Sequence, residues 1–421
     1  MIFIALAFLL LFPSQSICKG KYALFCMAQA DVNAVLHDQT NYATPKLINT
    51  TADICFGCAD IKYDQGNFKV VECGDGIYMS LRASDFIMNN KAYNLVAPFW
   101  GLLWHFLHQF NLPVWLVEGI SNKHAMAISE CKKLNIPFVR SFEELENSPL
   151  FQAACKKTPN QPVSLSDHAG IIVFSATPGK ERRRDGKTYK KFQQKYPQYI
   201  YLNSTSRDYL KRKDATYTLF KRAALNSFIP NFAVFPTHYD YRIAQTIKKL
   251  LSQSELVVVK PAFSSLSCGV NVIEKNNLEP LLKLILQTPQ NIPQSAKRDL
   301  AFWKHAKPSR LVVSDYARSQ TIYKDGNPYD PTMRVMFIMY HDQGTVHVNV
   351  LGGFWKIPVH PLNDKAATQT EKHVTIAHAG DYYTGILLEH DESLRMKQVV
   401  APILAKAYEQ MLLERSKSLV L

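Results

Sequence analysis

One stretch of the chain, residues 257–274, constrains the fold most, because an apolar strand pattern in it leads directly into a lysine and a loop of small residues. It reads VVVKPAFSSLSCGVNVIE, with Lys260 at the end of the β-branched run. In the loop, Ser264, Ser267 and Gly269 are small enough to let backbone N–H groups approach phosphoryl oxygens, while the lysine supplies a point charge. No Gly-Lys-Ser/Thr motif and no helix follow, which excludes a Walker A loop. The stretch predicts a hairpin that covers phosphate; a surface hairpin with one exposed lysine is the alternative.

A second lysine, Lys213, begins a predicted helix ahead of this hairpin. The surrounding segment reads RDYLKRKDATYTLFKRAALNSFIPNFAVFP, in which the helix pattern stops before residues 229–230 and a strand pattern follows. A lysine that opens a helix, an Ile-Pro turn and a lysine on a strand before a Gly/Ser loop resemble the nucleotide-binding subdomain of the ATP-grasp family. The resemblance implies that Lys213 and Lys260 contact the phosphates of ATP, with Lys211 or Arg212 as alternatives to Lys213.

Further nucleotide contacts are implied downstream, after an insertion at residues 276–308. The segment RLVVSDYARS resembles the hinge on which ATP-grasp enzymes lay adenine, which places Asp315 and Tyr316 beside the base. Arg334 follows on the apolar strand pattern of MRVMFIMY. A buried arginine is costly unless it meets an anion, so a phosphate contact is preferred to a structural ion pair. Lys356, in LGGFWKIP, matches a second basic position of the family.

A pair of acidic residues near the other end of the chain predicts a magnesium site. Residues 56–76 form two strand patterns around a DQGN turn, with Asp60 on the first and Glu72 on the second. Mg²⁺ binds carboxylate oxygens that converge from neighbouring strands, and Asp75 is the candidate for a third ligand. Asp60 lies opposite Glu72 only if the loop has an odd number of residues or a bulge lies near the turn. A two-residue loop at residues 65–66 would place the two carboxylates on opposite faces.

Metal-binding strands that precede the lysines imply a circularly permuted ATP-grasp fold. This order resembles the glutathionylspermidine synthetase-like branch. The chain departs from that branch at Gly74, where the branch carries asparagine, and at Cys58, where it carries arginine. An alternative metal pair, Glu389 and Asp391, precedes a predicted helix at 391–415. Those two residues are adequately explained as a helix N-terminus with Asp391 as the cap.

Length and composition are those of a multidomain globular protein. The 421 residues are 47% hydrophobic and 20% charged, which predicts a substantial core and two or three structural domains of α/β class. We expect permuted ATP-grasp lobes plus an α/β domain that precedes the lysines. The predicted divisions are a hydrophobic leader at 1–26, a segment with the metal-binding hairpin at 27–92, the α/β domain at 93–206, the nucleotide-binding subdomain at 207–310, and the hinge, second lobe and C-terminal helix at 311–421.

The charge balance of the chain is strongly basic, with a formal net charge of +14, and part of the excess is local. The run at 180–195, KERRRDGKTYKKFQQK, follows a predicted strand end, where α/β domains place binding loops. It is predicted as a solvated flexible loop, as a grip for an anionic small substrate, or as a surface for nucleic acid or anionic lipid. Only Tyr189 and Phe192 interleave the charges, which makes nucleic acid an improbable partner.

The N-terminus bears on location. Residues 2–12 are apolar and residues 14–16 resemble a cleavage site, which favours a signal peptide over a spanning helix. Contact with a membrane is expected only through residues 1–20, if these are retained. ATP chemistry favours the cytoplasm, and translation from Met27 would reconcile that location with the signal-like residues.

The eight cysteines are too sparse for a disulfide scaffold. A disulfide between Cys58 and Cys73 would count against the magnesium site.

The resemblance implies a carboxylate–amine ligase. ATP would phosphorylate a substrate carboxylate, and an amine would then displace phosphate to form an amide. Lys213, Lys260 and Arg334 would neutralise the transferred phosphoryl group, and Asp60 with Glu72 would hold Mg²⁺. The expected partners are a small anionic or peptide-like carboxylate and an amine. A nonenzymatic nucleotide- or anion-binding protein of the same fold is the alternative, and a basic nucleic-acid binder is the third interpretation.

Overall fold

A computed structural model describes residues 39–48, 50–75, 97–118, 135, 137–158, 162–175, 180–210, 212–251, 253–264, 267–294, 298–306, 308–375, 384–388 and 390–419. The predicted leader at 1–26 and the alternative metal ligand Glu389 lie outside these ranges. Within them, none of the helices combines the length and the apolar character that crossing a bilayer requires.

Helices and antiparallel sheets alternate along the described chain, so the predicted α/β class is confirmed. The strands are β1 Thr40–Ala43, β2 Asp53–Asp64, β3 Asn67–Asp75, β4 Val114–Glu118, β5 Phe138–Val139, β6 Gly170–Ser175, β7 Tyr199–Tyr201, β8 Phe232–Pro236, β9 Leu256–Pro261, β10 Asn271–Glu274, β11 Arg310–Asp315, β12 Ile322–Lys324, β13 Asn327–Tyr329, β14 Thr332–Asp342, β15 Thr345–Ile357 and β16 Thr384–Leu387. The α-helices are α1 Ala97–His108, α2 Phe142–Glu146, α3 Pro149–Lys157, α4 Lys180–Lys195, α5 Arg207–Leu210, α6 Lys213–Arg222, α7 Tyr241–Leu250, α8 Leu278–Leu282, α9 Arg298–Ala306, α10 Gln369–His373 and α11 His390–Leu419.

The largest sheet joins strands from both ends of the chain. Its order is β1-β15-β14-β2-β3, and β16 also pairs with β15. Strand β2 lies inside this sheet between β14 and β3, and every residue from Asp53 to Tyr63 is buried. An interior strand is covered on both faces, which is why DICFGCADIKY is apolar with few interruptions. The charged residues that do interrupt it are therefore those that the structure must pair.

A smaller antiparallel sheet, in the order β10-β9-β11-β8, carries the predicted hairpin and the hinge strand. Helices α7, α8 and α9 cover one side of it, where Val257 and Val259 are completely buried. Because side chains alternate along a strand, Lys260 lies on the opposite side of this sheet, facing away from those helices. The sheet therefore presents the lysine toward the rest of the molecule.

A parallel sheet in the order β5-β4-β6-β7 lies within the region predicted as a separate α/β domain at 93–206. Helix α1 packs between it and the large sheet, since Leu103 and Phe106 share one buried cluster with Ile54, Phe56 and Val173. Apolar packing thus covers this side of the large sheet around Ile54 and Phe56 on β2.

The basic run at 180–195 is a helix, so its prediction as a flexible loop was wrong. Tyr189 and Phe192 are buried in an aromatic cluster with Phe142 and Tyr201. These two aromatic residues are three apart, which is the spacing of one face of a helix. The exposed lysines of α4 lie on the other side of a helix that is anchored by packing.

Helix α11 covers the opposite face of the large sheet, where Met396, Leu404 and Tyr408 are buried. It begins at His390, so Asp391 lies in its first turn and is not the cap that the sequence predicted. Near its other end, Arg415 pairs with the buried carboxylate of Asp53 at 3.1 Å. That ion pair fixes the helix against β2.

Candidate functional site

The predicted metal-binding hairpin forms with Asp60 directly opposite Glu72, because a two-residue turn is combined with a β-bulge. The turn has two residues, Gln65 and Gly66, both with positive φ. That loop alone would place the carboxylates on opposite faces. A β-bulge restores the register, because Ile61 pairs with Val70 while Asp60 pairs with Glu72, which leaves Val71 as the extra residue. Of the two conditions that the sequence set for facing carboxylates, an odd-numbered loop or a bulge near the turn, the structure shows a bulge, which lies at Val71 and coexists with the two-residue turn.

Four of the predicted site residues share one side of the large sheet, called the charged face here: Glu72 on β3, Asp60 on β2, Arg334 on β14 and Lys356 on β15. Asp60 is the register partner of both Glu72 and Arg334, and Lys356 is the partner of Thr332, two residues from Arg334. Residues opposite each other, or two apart, point to the same side. The sheet thus collects four predicted site residues from distant parts of the chain.

Arg334 and Lys356 both bind Asp60 in this structure. Arg334 donates from Nε and Nη2 to the two carboxylate oxygens at 2.7 and 2.8 Å, and Lys356 Nζ donates to Oδ2 at 2.6 Å. Burial would raise the pKa of Asp60, but the two cations outweigh it and hold that pKa well below its usual range. The structural ion pair, which the sequence analysis ranked second for Arg334, is the contact that the structure shows.

Lys213 is the first residue of α6, and its contacts link the two sheets. Its Nζ lies 3.1 Å from Oε1 of Glu72 and donates to the backbone oxygen and the hydroxyl of Ser264 at 2.9 and 3.2 Å. The side chain of Lys213 is 3% exposed, whereas that of Glu72 is 37% exposed. The predicted phosphate-binding lysine therefore lies between the predicted metal ligand and the loop of the hairpin.

Lys260 reaches the same place from β9. Its Nζ donates to the backbone oxygen of the bulged Val71 at 3.0 Å and to the hydroxyl of Tyr217 at 2.7 Å. Burial, followed by the charge of Lys213, lowers the pKa of Lys260 to about 7. The two lysines lie close together, and within the described ranges no acidic side chain bonds Lys260, which is a suitable environment for a multiply charged anion.

The loop of the hairpin is held by its small residues. Gly269 has a φ of +73°, and a Cβ built there would lie 2.7 Å from Phe302 and from Pro261, so a larger residue does not fit. The Gly269 carbonyl accepts from Trp303 Nε1 at 3.0 Å, and the hydroxyl of Ser267 donates to Thr375 O at 3.2 Å. The part of the loop at 267–269 is thus held against α9 and against Thr375.

Asp75 does not join Asp60 and Glu72, so its prediction as a third metal ligand was wrong. It pairs with Gly57, three residues from Glu72, and therefore points to the other side of the sheet. There it accepts a hydrogen bond from Asn203 Nδ2 at 2.9 Å. Among the described residues, no group of three His, Cys, Asp or Glu side chains is arranged to hold a metal.

The predicted hinge residues separate into two environments. Asp315 accepts a hydrogen bond from Asn231 Nδ2 at 2.9 Å, at the edge of the small sheet. The hydroxyl of Tyr316 instead donates to the buried carboxylate of Asp330, and His373 Nδ1 lies 2.8 Å from the same oxygen. Lys62, which points to the charged face from β2, pairs with Asp330 at 3.0 Å. Burial would raise the pKa of Asp330, but the Lys62 charge and the His373 hydrogen bond lower it well below the usual range.

A cavity of about 700 Å³ lies beside this network. Leu256 at the start of β9 and Ser319 after the hinge line it, as do Asp330 and His373 on its inner side. Lys260 is four residues further along the same strand, which is roughly 13 Å at the usual rise per residue. The cavity and the paired lysines therefore lie at the two ends of β9, and the region along this strand between them is called the cleft here.

The cysteines contribute no charge to the site. Cys58 points to the charged face next to Asp60 but is 1% exposed, and burial raises the pKa of its thiol to about 12. Cys73 pairs with Ala59 on the other side of the sheet, and both thiols are free. The disulfide that would have argued against the metal site is not formed.

Asp60 and Glu72 fit a magnesium ion whose other ligands are waters and phosphate oxygens. Mg²⁺ takes one or two carboxylates together with waters and phosphate oxygens, and these two carboxylates are register partners on one face. Both are now paired with cations, at 2.6 to 3.1 Å. Mg²⁺ can therefore bind these two carboxylates only when Lys213, Arg334 and Lys356 pair with another anion.

Three residues of the cleft were missed by the sequence analysis: Tyr217, Asp330 and His373. Tyr217 was detectable in principle, because it follows Lys213 by four residues and so shares its helix face. Asp330 lies between β13 and β14 and His373 ends the short helix α10, 43 residues further along the chain, so neither gave a local signal. Only the folded sheet brings them together.

Comparisons with known proteins give matches to solved structures alone: no protein-family model matches the chain, and no curated protein sequence matches it. A structure described as a candidate gamma-glutamylcysteine synthetase from Methylobacillus flagellatus KT is 10% identical, with a TM-score of 0.44, over 92% of this chain and 94% of that one. The D-alanyl-alanine synthetase A from Vibrio cholerae is 10% identical, with a TM-score of 0.34, over 70% of this chain and 81% of that one.

The ATP-grasp ligase PsnB complexed with minimal precursor is 12% identical, with a TM-score of 0.25, over 67% of this chain and 88% of that one. PsnB carries the name of the family that the sequence motifs resemble. Identities and TM-scores at this level leave the function to be inferred from the chain's own residues.

Proposed function

We propose that this protein is an ATP- and magnesium-dependent carboxylate–amine ligase of circularly permuted ATP-grasp architecture. One observation carries the proposal: Lys213 from the start of α6 and Lys260 from β9 converge beside the face of the large sheet that holds Asp60, Glu72 and Arg334. Two buried lysines opposite paired carboxylates form a site for a polyphosphate with a divalent cation. The N-terminal hairpin of β2 and β3 completes a sheet of C-terminal strands, which supports the permuted order.

The cleft accommodates a nucleotide in one orientation. The cavity at the hinge would receive the base and sugar, since Leu256 and the Tyr316–Asp330 network border it. The phosphates would then extend along β9 toward Lys260 and Lys213. This placement brings the terminal phosphate to Arg334 and Lys356, which are the cations furthest across the charged face.

The residues supply charge and position, and the reaction requires no side-chain nucleophile. A substrate carboxylate attacks the γ-phosphorus, the bond to the β–γ bridging oxygen breaks, and ADP leaves. An amine then attacks the acyl carbon, inorganic phosphate leaves, and the amine loses a proton as the amide forms. Lys213, Lys260 and Arg334 would neutralise the equatorial oxygens during the first transfer.

Asp60 and Glu72 are the residues that would hold Mg²⁺. When bound, the ion would neutralise phosphate charge and fix the phosphoryl group for transfer. The cations that now bind these carboxylates would pair with the phosphates instead. Arg334, Lys356 and Lys213 thus serve two anions in turn, which keeps the buried carboxylate of Asp60 and the partly exposed one of Glu72 compensated before the nucleotide arrives.

A nonenzymatic nucleotide-binding protein of the same fold is the second candidate, and one observation favours it. Cys58 stands where the related branch carries an arginine, and its buried neutral thiol offers no charge to a substrate. Gly74, its register partner, stands where that branch carries an asparagine. Arg334 would have to supply the missing cation from the neighbouring strand if the protein is a ligase.

Phosphate release separates the two candidates. The full chain would be incubated with ATP, Mg²⁺ and pairs of amino acids, dipeptides or polyamines, alongside Lys260→Met and the exposed-lysine control Lys221→Met. The ligase predicts that one pair stimulates phosphate and ADP formation in the wild type and the control only. Tight ATP binding without stimulated release by any pair would support the nonenzymatic protein.

A further inference from the structure

We propose that Tyr217 is the positioning residue of Lys260, so that one face of α6 places both phosphate-binding lysines. This inference rests on the proposed nucleotide site. Lys213 is the first residue of α6 and enters the site itself. Tyr217 lies one turn later on the same face of this helix and acts through Lys260, which belongs to strand β9.

The hydroxyl of Tyr217 has two partners at the centre of the cleft. It donates to the backbone oxygen of Val71 at 2.8 Å and accepts from Lys260 Nζ at 2.7 Å. Lys260 Nζ also donates to that same backbone oxygen at 3.0 Å, which closes a triangle of three polar atoms. Tyr217 is completely buried, so water does not compete for these bonds.

The β-bulge explains why a backbone oxygen is present at this position. Val71 is the extra residue of the bulge, and an extra residue is left out of the ladder between strands. A buried carbonyl without a partner would be costly, and Tyr217 with Lys260 satisfies it. The β-bulge that brings Asp60 opposite Glu72 therefore also provides the backbone oxygen to which Lys260 donates.

The triangle leaves Lys260 oriented for a ligand. Among the described residues its ammonium bonds to Val71 and Tyr217, and an ammonium has three donors. The third can serve a phosphoryl oxygen without breaking the first two. Without the hydroxyl, the flexible side chain of Lys260 would keep one anchor and adopt several positions.

Tyr217→Phe tests this role because it removes the hydroxyl and keeps the ring that packs on Phe232. We expect its affinity for ATP and ADP to fall roughly tenfold or more, as for loss of a hydrogen bond to a charged group. Affinity for adenosine should stay within about twofold, because adenosine carries no phosphate. Tyr201→Phe is the matched control, since its buried hydroxyl also bonds to backbone oxygens but lies in the parallel sheet.

A double-mutant cycle with Lys260→Met decides between positioning and packing. If Tyr217 acts through Lys260, then Tyr217→Phe changes ATP affinity in the wild type but not in the Lys260→Met background. Equal losses in both backgrounds, or a parallel loss of adenosine affinity, would overturn the inference. If Tyr217→Phe leaves the ATP affinity unchanged and Lys260→Met reduces it, the inference about Tyr217 is also overturned, while the proposed function stays intact. Absence of ATP binding in the wild type would instead contradict the proposed function.

Discussion

Lys213 Nζ and Glu72 Oε1 lie 3.1 Å apart, so a lysine predicted to bind phosphate and a carboxylate predicted to bind metal neutralise each other. The same arrangement recurs next to them, where Asp60 is held by Arg334 and Lys356. The site is thus assembled in a charge-paired form. Binding of a metal–nucleotide complex would exchange partners rather than create uncompensated charges.

Glu72→Gln tests whether the carboxylate of Glu72 and the phosphates of ATP compete for Lys213. Without the carboxylate, Lys213 no longer has to leave a partner, so affinity for metal-free ATP should rise by up to roughly fivefold. The additional affinity that Mg²⁺ gives the wild type should be lost, because one of its two carboxylates is gone. Titration of ATP with and without Mg²⁺ measures both effects.

Asp75→Asn is the control for that experiment, because Asp75 lies on the same strand but points to the other side of the sheet. Both affinities should remain within about twofold of the wild type. Metal-dependent binding that survives in Glu72→Gln but disappears in Asp75→Asn would reverse the assignment of the two residues.

Asp60→Asn should strongly destabilise the fold. The substitution leaves two buried cations without their anion, which in comparable cases costs roughly 3–5 kcal/mol of unfolding free energy. Urea denaturation followed by circular dichroism measures the loss. Arg334→Met/Lys356→Met in the Asp60→Asn background should recover part of it, because the uncompensated charges are then removed. A stability loss below about 1 kcal/mol for Asp60→Asn would show that the ion pairs are not buried as described.

Nucleotide affinity should fall as the pH rises above neutrality. Burial lowers the pKa of Lys260 from 10.5 to about 7, so Lys260 loses its charge above pH 7, while phosphate binding requires the charged form. ATP affinity should therefore decrease by up to about tenfold per pH unit between pH 7 and pH 9, with proton uptake on binding at pH 8. Calorimetry in buffers of different ionisation enthalpy measures that uptake, which should vanish in Lys260→Met.

The same group has the opposite effect on stability. Between pH 7 and the ordinary lysine pKa of 10.5, the unfolded chain binds a proton that the folded chain lacks. The contribution of Lys260 to the free energy of unfolding therefore rises with pH across this window and is lowest below pH 7. A wild-type minus Lys260→Met difference that falls with pH over the window would contradict the assigned shift.

Filling the cavity at the hinge should block the nucleoside without affecting the lysines. Thr321 is exposed and lines this cavity, so Thr321→Trp should be tolerated by the fold. Its affinity for adenosine and for ATP should fall more than about tenfold, whereas Thr321→Ser should bind like the wild type. Unchanged adenosine binding in Thr321→Trp would mean that the base binds elsewhere.

The sequence revealed those site residues whose type conflicts with their surroundings. Lys260 and Arg334 stand out because a charged residue on an apolar strand must meet an opposite charge or a ligand. Asp60 stands out for the same reason on the apolar strand pattern of β2, and Glu72 stands out on the strand pattern that follows the turn. The nature of their partners could not be read, since ion pairs between β2, β14 and β15 depend on which strands become neighbours.

The errors also have physical causes. Nothing in KVVEC distinguishes the bulged Val71, so the face shared by Asp60 and Glu72 depended on a bulge that the residues do not mark. Asp75 was assigned to the wrong side for another reason: it lies three residues from Glu72 on β3, and the alternation of side chains places it on the opposite face. The run at 180–195 was predicted as a loop from its charge, although Tyr189 and Phe192 already marked a helix face that packs. Tyr217 was passed over because a tyrosine on a helix is most often core, and only its hydrogen bonds reveal another role.

Calorimetric titration of ATP into the full chain, with and without Mg²⁺, tests the central claim most directly. The proposed site predicts saturable binding of one ATP that Mg²⁺ strengthens, that Lys260→Met weakens by roughly tenfold or more and that Lys221→Met on the surface of α6 leaves unchanged. No binding to the wild type, or equal binding to wild type and Lys260→Met, would contradict a nucleotide site at the convergence of the two sheets.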